Sequence, residues 1–527
     1  MQGSPSPTSY DVIPYDSQPF AQSHPDRLAT LGRLFGLAPA PITQCRVLEL
    51  GCASGGNLIP MAFQLPESEF VGLDLSTRQV NMGHKVIREL GLSNIRLEQG
   101  SILQVDDSWG VFDYIISHGV YSWVPDEIQE KILSISGSNL APQGIAYVSY
   151  NTYPGWHMRE MIRYMMRYHA DRLASPNERI EQARAVIDFL ARSVPIDNNA
   201  YGLLLQRELN LIKQSKDAYL FHEHLEEVNT PIYFYQFVER AERHGLQYLA
   251  EAEFASMLTS GFSQEVAETL RRISPNLIRT EQYMDFIRNR LFRQTLLCQK
   301  NFSLKREVGW EDVIGLLVAS AARPATAEIN LAPGILQSFR TPQELTLETA
   351  FPLTKSALTV LKDHWPRAIA IDALCEEAIE RLGNLKDRTV DDIQHSQQVL
   401  AKDLLHCYTS NVVELHTWQA DFVIDVSERP RISNLAAYLI GQERPVVNQR
   451  HEVVNLDPVP KQLAKILDGS RDRAAMLTHL SELVAGGTLA VHRDGQPLTT
   501  VEQAQSVLSE AIAQTLTRLA SAALLVA

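Results

Sequence analysis

The feature that most constrains the fold is a short apolar run that ends in a glycine-rich turn. Residues 46–57 read RVLELGCASGGN, and apolar side chains at helical spacing follow over residues 58–65. Because glycine has no side chain, such a turn allows a sharp bend from strand to helix and a close approach by a ligand. The sequence therefore predicts a β-strand, a turn through Gly51 and Gly55, and a helix that begins near Asn57. A purely structural role for the turn is equally consistent with this segment alone.

A second apolar strand ends in a carboxylate about 20 residues after the glycines. Residues 69–76 read EFVGLDLS, with Asp74 at the strand tip. In a Rossmann-like sheet, a carboxylate at this position accepts hydrogen bonds from both ribose hydroxyls of a bound ligand. The alternative is that Asp74 caps the next helix, but Ser76 can serve that role equally well. The two segments together predict a ligand site at the carboxyl ends of the strands.

Further strand patterns extend this unit into an α/β sheet. Apolar runs at 95–102, 112–118 and 145–150 alternate with helical patterns, which predicts parallel strands joined by right-handed crossovers. Two more strand candidates follow at 246–250 and 292–298. The residues between the fifth and sixth strands, about 158–245, have helical periodicity and are interpreted as an insertion. Ligands on such sheets bind where the parallel strands end.

The spacing from Glu49 to Gly55 resembles motif I of class I S-adenosylmethionine (SAM)-dependent methyltransferases, E-x-G-x-x-x-G, and differs from the G-x-G-x-x-G of dinucleotide-binding proteins. Members of that family usually have aspartate where this chain has Ser101, so the adenine contact is expected from Ser101 or the Ile102 backbone. The N-terminal segment that contains Tyr15 is expected to close over the cofactor, with an external strap as the alternative. The resemblance implies SAM as cofactor and these cofactor-binding residues: Tyr15, Glu49, Gly51, Cys52, Ala53, Gly55, Asn57, Asp74, Leu75, Ser101, Ile102 and Ser117.

Two loops after the fourth and fifth strands are crowded with aromatic residues. They read SHGVYSWVP at 117–125 and YNTYPGWH at 150–157. Ring faces attract cations, so this composition suits an amine as methyl acceptor, although packing of a lid is an alternative reason for the rings. His118 is either a general base or a buried neutral histidine, and the Asn151 amide can orient an amine. The candidate catalytic residues are His118, Tyr121, Trp123, Asn151, Tyr153 and Trp156.

A second resemblance narrows the range of possible methyl acceptors. Residues 221–229 (FHEHLEEVN) and 282–297, together with NTYPGW at 151–156, are similar to the methyltransferase regulatory domain and to bacterial protein lysine methyltransferases that modify a surface autotransporter. This resemblance implies a protein lysine side chain as substrate and a homodimer formed partly by the insertion. A small-molecule N- or O-methyltransferase and a non-catalytic SAM-binding sensor remain alternatives. No metal site is expected, because neighbouring residues 222–224 on a helix point in different directions.

The chain divides by pattern into three predicted domains. These are a methyltransferase domain at 1–300, a mostly helical middle domain at 301–430, and a winged-helix-like domain at 431–527 with a hairpin at Asp494 and Gly495. Residues 1–305 are expected to fold without the rest. The net charge of −14 argues against nucleic acid as a partner, and no apolar run is long enough for a membrane span. Five scattered cysteines favour a cytoplasmic location.

Overall fold

A computed structural model describes residue 13 and residues 17–383, 389–490, 492–493, 496–497 and 501–527. Its centre is a seven-stranded sheet with the order β3-β2-β1-β4-β5-β7-β6. Strands β1 to β5 pair in parallel, whereas β7 runs antiparallel to both of its neighbours. The strands are β1 (Arg46–Leu50), β2 (Glu69–Asp74), β3 (Ile95–Gln99), β4 (Phe112–Ser117), β5 (Leu140–Asn151), β6 (Leu246–Glu251) and β7 (Phe292–Gln299). All seven predicted strands are confirmed.

Helices cover the sheet and bring the chain back to the start of each strand. The first four are α1 (Pro25–Leu34), α2 (Leu58–Gln64), α3 (Thr77–Leu90) and α4 (Asp126–Ser138). Ser76 caps α3, because its hydroxyl accepts a hydrogen bond from the Gln79 backbone N–H. The helix ends at Gly91, whose φ of 65° is a left-handed conformation that glycine adopts without steric cost. The capping role considered for Asp74 therefore belongs to Ser76.

The predicted helical insertion is present between β5 and β6. It consists of α5 (Gly155–Ala170), α6 (Pro176–Ser193), α7 (Ala200–Gln214) and α8 (Asp217–Leu220), and α8 continues as a π-helical turn over Phe221–Leu225. The insertion has an apolar core of its own, which includes Ile162, Met166, Ile180, Ile187, Leu209 and Phe221. Helix α9 (Phe234–Arg243) then leads into β6, and α10 (Gln264–Ile273) and α11 (Leu277–Arg288) lead into β7.

The middle region contains more β-structure than expected. Its helices are α12 (Pro352–His364), α13 (Ile371–Arg381) and α14 (Val390–Thr409). Two three-stranded sheets accompany them, built from β8 (Leu317–Ala319), β9 (Arg323–Pro324), β10 (Gln337–Arg340), β11 (Thr346–Thr349), β12 (Ile369–Ala370) and β13 (Glu414–His416). Strands of two to four residues are too short to give a periodic sequence signal, and this explains why only the helices were predicted.

The C-terminal region has the helices and paired short strands expected of a winged helix. Its elements are α15 (Asn434–Gly441), β14 (Val446–Val447), β15 (Val453–Val454), α16 (Pro458–Ala464), α17 (Arg473–Ala485), β16 (His492–Arg493), β17 (Gln496–Pro497) and α18 (Val501–Ser521). Strands β16 and β17 pair antiparallel. The predicted turn residues between them, Asp494 and Gly495, lie outside the described residues. Among the helices of the described residues, none has the length and apolar content that crossing a membrane requires.

One apolar core joins the seven-stranded sheet to the middle region. It contains Val47, Ile116 and Tyr147 from the sheet, and Leu358, Leu374 and Leu404 from helices α12, α13 and α14. All six side chains are fully buried. Removing everything after residue 305 exposes the apolar side chains of this core to water, at a cost of about 25 cal/mol for each Å². The expectation that residues 1–305 fold alone must therefore meet the cost of exposing this shared core.

Candidate functional site

A cavity of about 480 Å³ lies at the carboxyl ends of the parallel strands. It extends from the glycine-rich turn after β1 to the aromatic loops after β4 and β5. Thirteen of the predicted site residues form part of its wall: Glu49, Gly51, Cys52, Ala53, Asn57, Asp74, Leu75, Ser101, Ile102, His118, Trp123, Asn151 and Trp156. The location agrees with the general rule that open α/β sheets bind ligands at these strand ends.

The glycine-rich turn and the Asp74 carboxylate hold each other in place. Asp74 Oδ2 accepts a hydrogen bond from the Ala53 backbone N–H, and Oδ1 accepts one from the Ser76 N–H, both at 2.8 Å. Gly51 has φ of 77°, and a Cβ at this position would lie 2.4 Å from Val120 Cγ2. Asp74 therefore holds the turn in place and is itself part of the cavity wall.

Glu49 is a buried carboxylate that is only half paired. Its side chain is 4% exposed, and Oε1 accepts a hydrogen bond from Asn57 Nδ2 at 2.8 Å. Among the described residues, Oε2 has no hydrogen-bond partner. Burial raises the pKa of Glu49 to about 7. A buried oxygen without a partner is costly, and a donor from a ligand in the cavity removes that cost. The cationic amino group of SAM is such a donor, so the residues present fit this cofactor.

The segment after β3 also forms part of the cavity wall, through Gly100, Ser101 and Ile102. The Ser101 N–H donates to Gln104 Oε1 at 3.0 Å, and Ser101 Oγ accepts from the Leu103 N–H at 3.3 Å. This reciprocal pair is a capping box, which fixes the backbone of Ser101 and Ile102 beside the cavity. The Ser101 hydroxyl still has its proton to donate. The site therefore has a hydroxyl donor in the segment that follows β3.

His118 lies under the N-terminal segment. Its ring centroid is 3.7 Å from that of Phe20, and Nδ1 is 2.8 Å from the Tyr147 hydroxyl. Burial lowers the pKa of His118 to about 4, so the imidazole is neutral at pH 7. A base this weak is poorly matched to an ammonium group, whose pKa is about 10.4 in lysine. The geometry favours the buried neutral interpretation of His118 over the general base.

The rings of two tryptophans meet at the end of the cavity that is formed by the loops after β4 and β5. We call this the acceptor end. Trp123 and Trp156 pack edge to face with centroids 6.1 Å apart. Asn151 lies beside them, and its Nδ2 donates to Asn229 Oδ1 at 3.1 Å. This contact leaves the Asn151 carbonyl oxygen oriented away from Asn229. The three side chains enclose a space that is mostly apolar but has one amide.

Two of the predicted catalytic residues lie away from the cavity wall. Tyr121 is fully buried in the core and packs edge-on against Phe237 at 5.3 Å. Residues Tyr121–Trp123 form a 3₁₀ turn, whose side chains point in different directions, so Trp123 faces the cavity and Tyr121 does not. Tyr153 stacks on His157 with centroids 4.0 Å apart, outside the cavity.

Two predicted cofactor residues that the structure describes, Gly55 and Ser117, do not line the cavity. Gly55 forms the back of the turn, where its N–H donates to Cys52 O at 2.8 Å. Ser117 is buried at the end of β4 and lies beneath the cavity wall rather than on it. Tyr15 lies outside the described residues. Gly55 therefore acts on the site through the shape of the turn.

The insertion contributes cavity residues that sequence patterns did not identify. Arg159, Tyr219, His222 and Glu223 line the cavity, as do Phe20 and Phe292 from elsewhere in the chain. Glu223 lies in the π-helical turn, and burial raises its pKa to about 7. Within the described part of the chain, no group of three or more His, Cys, Asp or Glu side chains is arranged to hold a metal ion. The FHEHLEEVN motif was the available signal, but it did not reveal which of its residues faces the site.

Three family profiles match the chain. They are a methyltransferase domain at residues 43–208, a predicted methyltransferase regulatory domain at 216–299, and the C-terminal winged helix domain of PKMT at 428–524. Uncharacterized protein RP789 of Rickettsia prowazekii is 35% identical over 525 residues, which cover 98% of this chain and 93% of that protein. Uncharacterized protein RP028 of the same organism is 41% identical over 241 residues, or 46% of this chain.

A solved structure has the same architecture over almost its whole length. PKMT2 from Rickettsia typhi, in complex with AdoHcy, superimposes with a TM-score of 0.88 at 30% identity and covers 98% of this chain and 100% of that one. AdoHcy is what remains of SAM after methyl transfer. The profile matches, the full-length similarity and the cavity at the strand ends agree. The chain belongs to the PKMT family of SAM-dependent protein lysine methyltransferases.

Proposed function

We propose that this enzyme transfers a methyl group from SAM to the side-chain amine of a lysine in a protein substrate. The observation that carries the proposal is the composition of the acceptor end of the cavity. Arg159 lies in this region, with its guanidinium carbon 5.7 Å from the Trp156 ring centroid. Tryptophan rings and one partly buried carboxylate, that of Glu223, complete the lining. Both groups attract an ammonium ion, the rings through their negative faces and the carboxylate through its charge.

Glu223 is suited to accept the proton that the incoming lysine ammonium must lose. Among the described residues, no hydrogen bond to its carboxylate is present, and its pKa of about 7 results from burial, opposed by the charges of Arg159 and Arg163. At neutral pH the carboxyl group exists in both protonation states. A lysine ammonium must lose its proton before it can react, at a cost of about 4 kcal/mol near pH 7.5. The half-ionised carboxylate and the aromatic walls reduce this cost, because a dry enclosure disfavours the charged form of the amine.

The remaining residues orient the reactants and exclude water. Bound SAM supplies a methyl group on a positively charged sulfur. Asp74 and Glu49 offer acceptors for its ribose and amino groups, and Phe20 and His118 cover this part of the cavity. Trp123 and Trp156 confine the amine on the opposite side. Alignment and desolvation are the main requirements of an in-line displacement.

A homodimer formed through the insertion is part of the proposal. Helix α5 exposes an apolar stripe of Met158, Met161, Tyr164 and Tyr168, and the two tyrosines are 71% and 73% exposed. Contiguous apolar surface of this kind marks a protein interface. The double substitution Tyr164→Glu and Tyr168→Glu should convert the dimer to a monomer in sedimentation. Arg172→Glu, just beyond the helix, should leave the dimer intact. A wild-type protein that sediments as a monomer at micromolar concentration contradicts the dimer.

The location proposed for the enzyme is the cytoplasm. All five cysteines are free and buried, as is usual where thiols remain reduced.

The acceptor is tested by labelling. The purified enzyme is incubated with methyl-labelled SAM and a lysate protein mixture, and the digest is analysed by mass spectrometry. The expected result is labelled methyl groups on lysine side chains. Label recovered only on hydroxyl groups or small molecules, with every lysine unmodified, refutes the proposal and favours a small-molecule methyltransferase. Tight SAM binding with no transfer to any acceptor favours the sensor alternative.

A further inference from the structure

The loop between β14 and β15 links the C-terminal region to a residue of the cofactor cavity. Asn448 organises this loop, because its Oδ1 accepts hydrogen bonds from the backbone N–H groups of Arg450 and Glu452, both at 2.9 Å. Its Nδ2 donates to Ala522 O at 3.0 Å, at the end of the chain. Within the loop, His451 has φ of 61° and is 2% exposed. The loop is thus fixed to the C-terminal region and directs one histidine toward the methyltransferase sheet.

His451 bonds to the residue that begins helix α2. Its Nε2 is 2.9 Å from Asn57 Oδ1, and the Phe20 N–H donates to the same oxygen at 2.9 Å. Because a backbone N–H can only donate, the amide oxygen of Asn57 must point toward Phe20 and His451. His451 Nε2 is therefore protonated and donates a hydrogen bond to Asn57 Oδ1.

The other end of the Asn57 amide is bonded to the cofactor site. Its Nδ2 donates to Glu49 Oε1 at 2.8 Å and to Ser23 Oγ at 3.0 Å. Glu49, Asn57 and Phe20 all line the cavity, whereas His451 does not. A short series of hydrogen bonds thus connects the C-terminal loop to the half-paired carboxylate and to the segment that covers the cavity.

We infer that His451 is a positioning residue for the SAM site, which acts through Asn57 to fix the Glu49 carboxylate and the Phe20 backbone. The C-terminal region thereby raises cofactor affinity without touching the cofactor. Burial lowers the pKa of His451 well below its usual value, so the ring is neutral and has one N–H to donate. The inference concerns cofactor binding alone and holds for any methyl acceptor.

A neighbouring contact provides a matched control. Gln64, at the other end of α2, donates from Nε2 to Asn448 O at 3.1 Å, in the same loop. This bond also ties the C-terminal region to the sheet domain, but it does not involve a residue of the cavity wall. Removing it tests general domain attachment separately from the positioning of Asn57.

The test compares full-length His451→Ala, His451→Gln and Gln64→Ala with the wild type. Dissociation constants for SAM and AdoHcy are measured by calorimetry, and KM for SAM and kcat by turnover. His451→Ala should raise Kd and KM for SAM about tenfold, which is the effect of losing one hydrogen bond to a buried group, with kcat within twofold. His451→Gln should recover affinity to within about threefold, because its amide nitrogen can donate to Asn57. Gln64→Ala should bind like the wild type.

Three outcomes overturn the inference. The first is a His451→Ala protein that binds SAM within twofold of the wild type. The second is a Gln64→Ala protein that loses as much affinity as His451→Ala, since the effect is then one of domain attachment. The third is a loss of kcat with KM for SAM unchanged. If His451→Ala does not fold, His451→Asn replaces it, because this shorter amide stays polar but cannot reach Asn57.

Discussion

Replacing Asp74 with alanine tests the cofactor site most directly. The carboxylate accepts a backbone hydrogen bond on each oxygen and forms part of the cavity wall. Hydrogen bonds to a charged group contribute roughly 1.5 kcal/mol or more each. Losing two such bonds to the ribose removes about 3 kcal/mol of binding free energy, which corresponds to about a hundredfold rise in Kd. The freed N–H groups of Ala53 and Ser76 also make the turn less well ordered.

Affinity must therefore be separated from stability in this experiment. Calorimetric titration with AdoHcy is performed well below the unfolding midpoint, which is measured for each variant. Asp74→Asn keeps one acceptor oxygen in the same volume and should lie between the wild type and alanine, near tenfold. Glu98→Ala, in β3, removes a surface ion pair with Arg96 and serves as the control that should not change Kd. An Asp74→Ala protein that binds AdoHcy within threefold of the wild type refutes the ribose assignment.

Other substitutions test the acceptor end of the cavity and the buried His224. Trp123→Ala should lower turnover at least tenfold with cofactor Kd within threefold, whereas Tyr121→Phe, in the core, should change neither. Wild-type turnover should rise through pH 7 as Glu223 ionises, and Glu223→Gln should abolish this rise and lower kcat about tenfold at pH 7.5. The exposed Glu227→Gln should behave like the wild type. His224 has a pKa lowered by burial to about 3, so only the unfolded chain takes up this proton as pH falls below about 6.5. Acidification from pH 7 to 5 should therefore destabilise the wild type by about 2 kcal/mol more than His224→Leu in denaturant titrations, and equal losses contradict this assignment.

The cofactor half of the site was predictable because its signals are contiguous in the chain. Each strand of the sheet is an apolar run, and the turn residues and Asp74 directly follow two of these runs. The spacing of residues along the chain therefore predicts both the position of each strand and the residues at its carboxyl end. Glu49 and Asn57 were identified in the same way, eight residues apart on either side of the turn.

The acceptor half depends on tertiary packing, which local patterns do not encode. Glu223 reaches the cavity only because the insertion folds back over the strand ends, and its helical periodicity reports the core face alone. Tyr121 and Trp123 lie in one short turn, where a pattern of aromatic residues cannot distinguish the core side from the cavity side. The bond from His451 to Asn57 spans 394 positions and has no sequence signature.

The antiparallel pairing of β5 with β7 has a consequence for synthesis of the chain. The two partners are separated by the whole insertion, by β6 and by three further helices, α9, α10 and α11, about 140 residues in all. At 5–20 residues per second, a ribosome needs roughly 7–30 s to make the intervening segment. During that time the outer edge of β5 has unpaired backbone groups, and an unpaired strand edge readily pairs with other chains. Nascent chains of this protein should therefore bind holdase chaperones most strongly while the insertion is being translated, and should be released once β7 has left the ribosome.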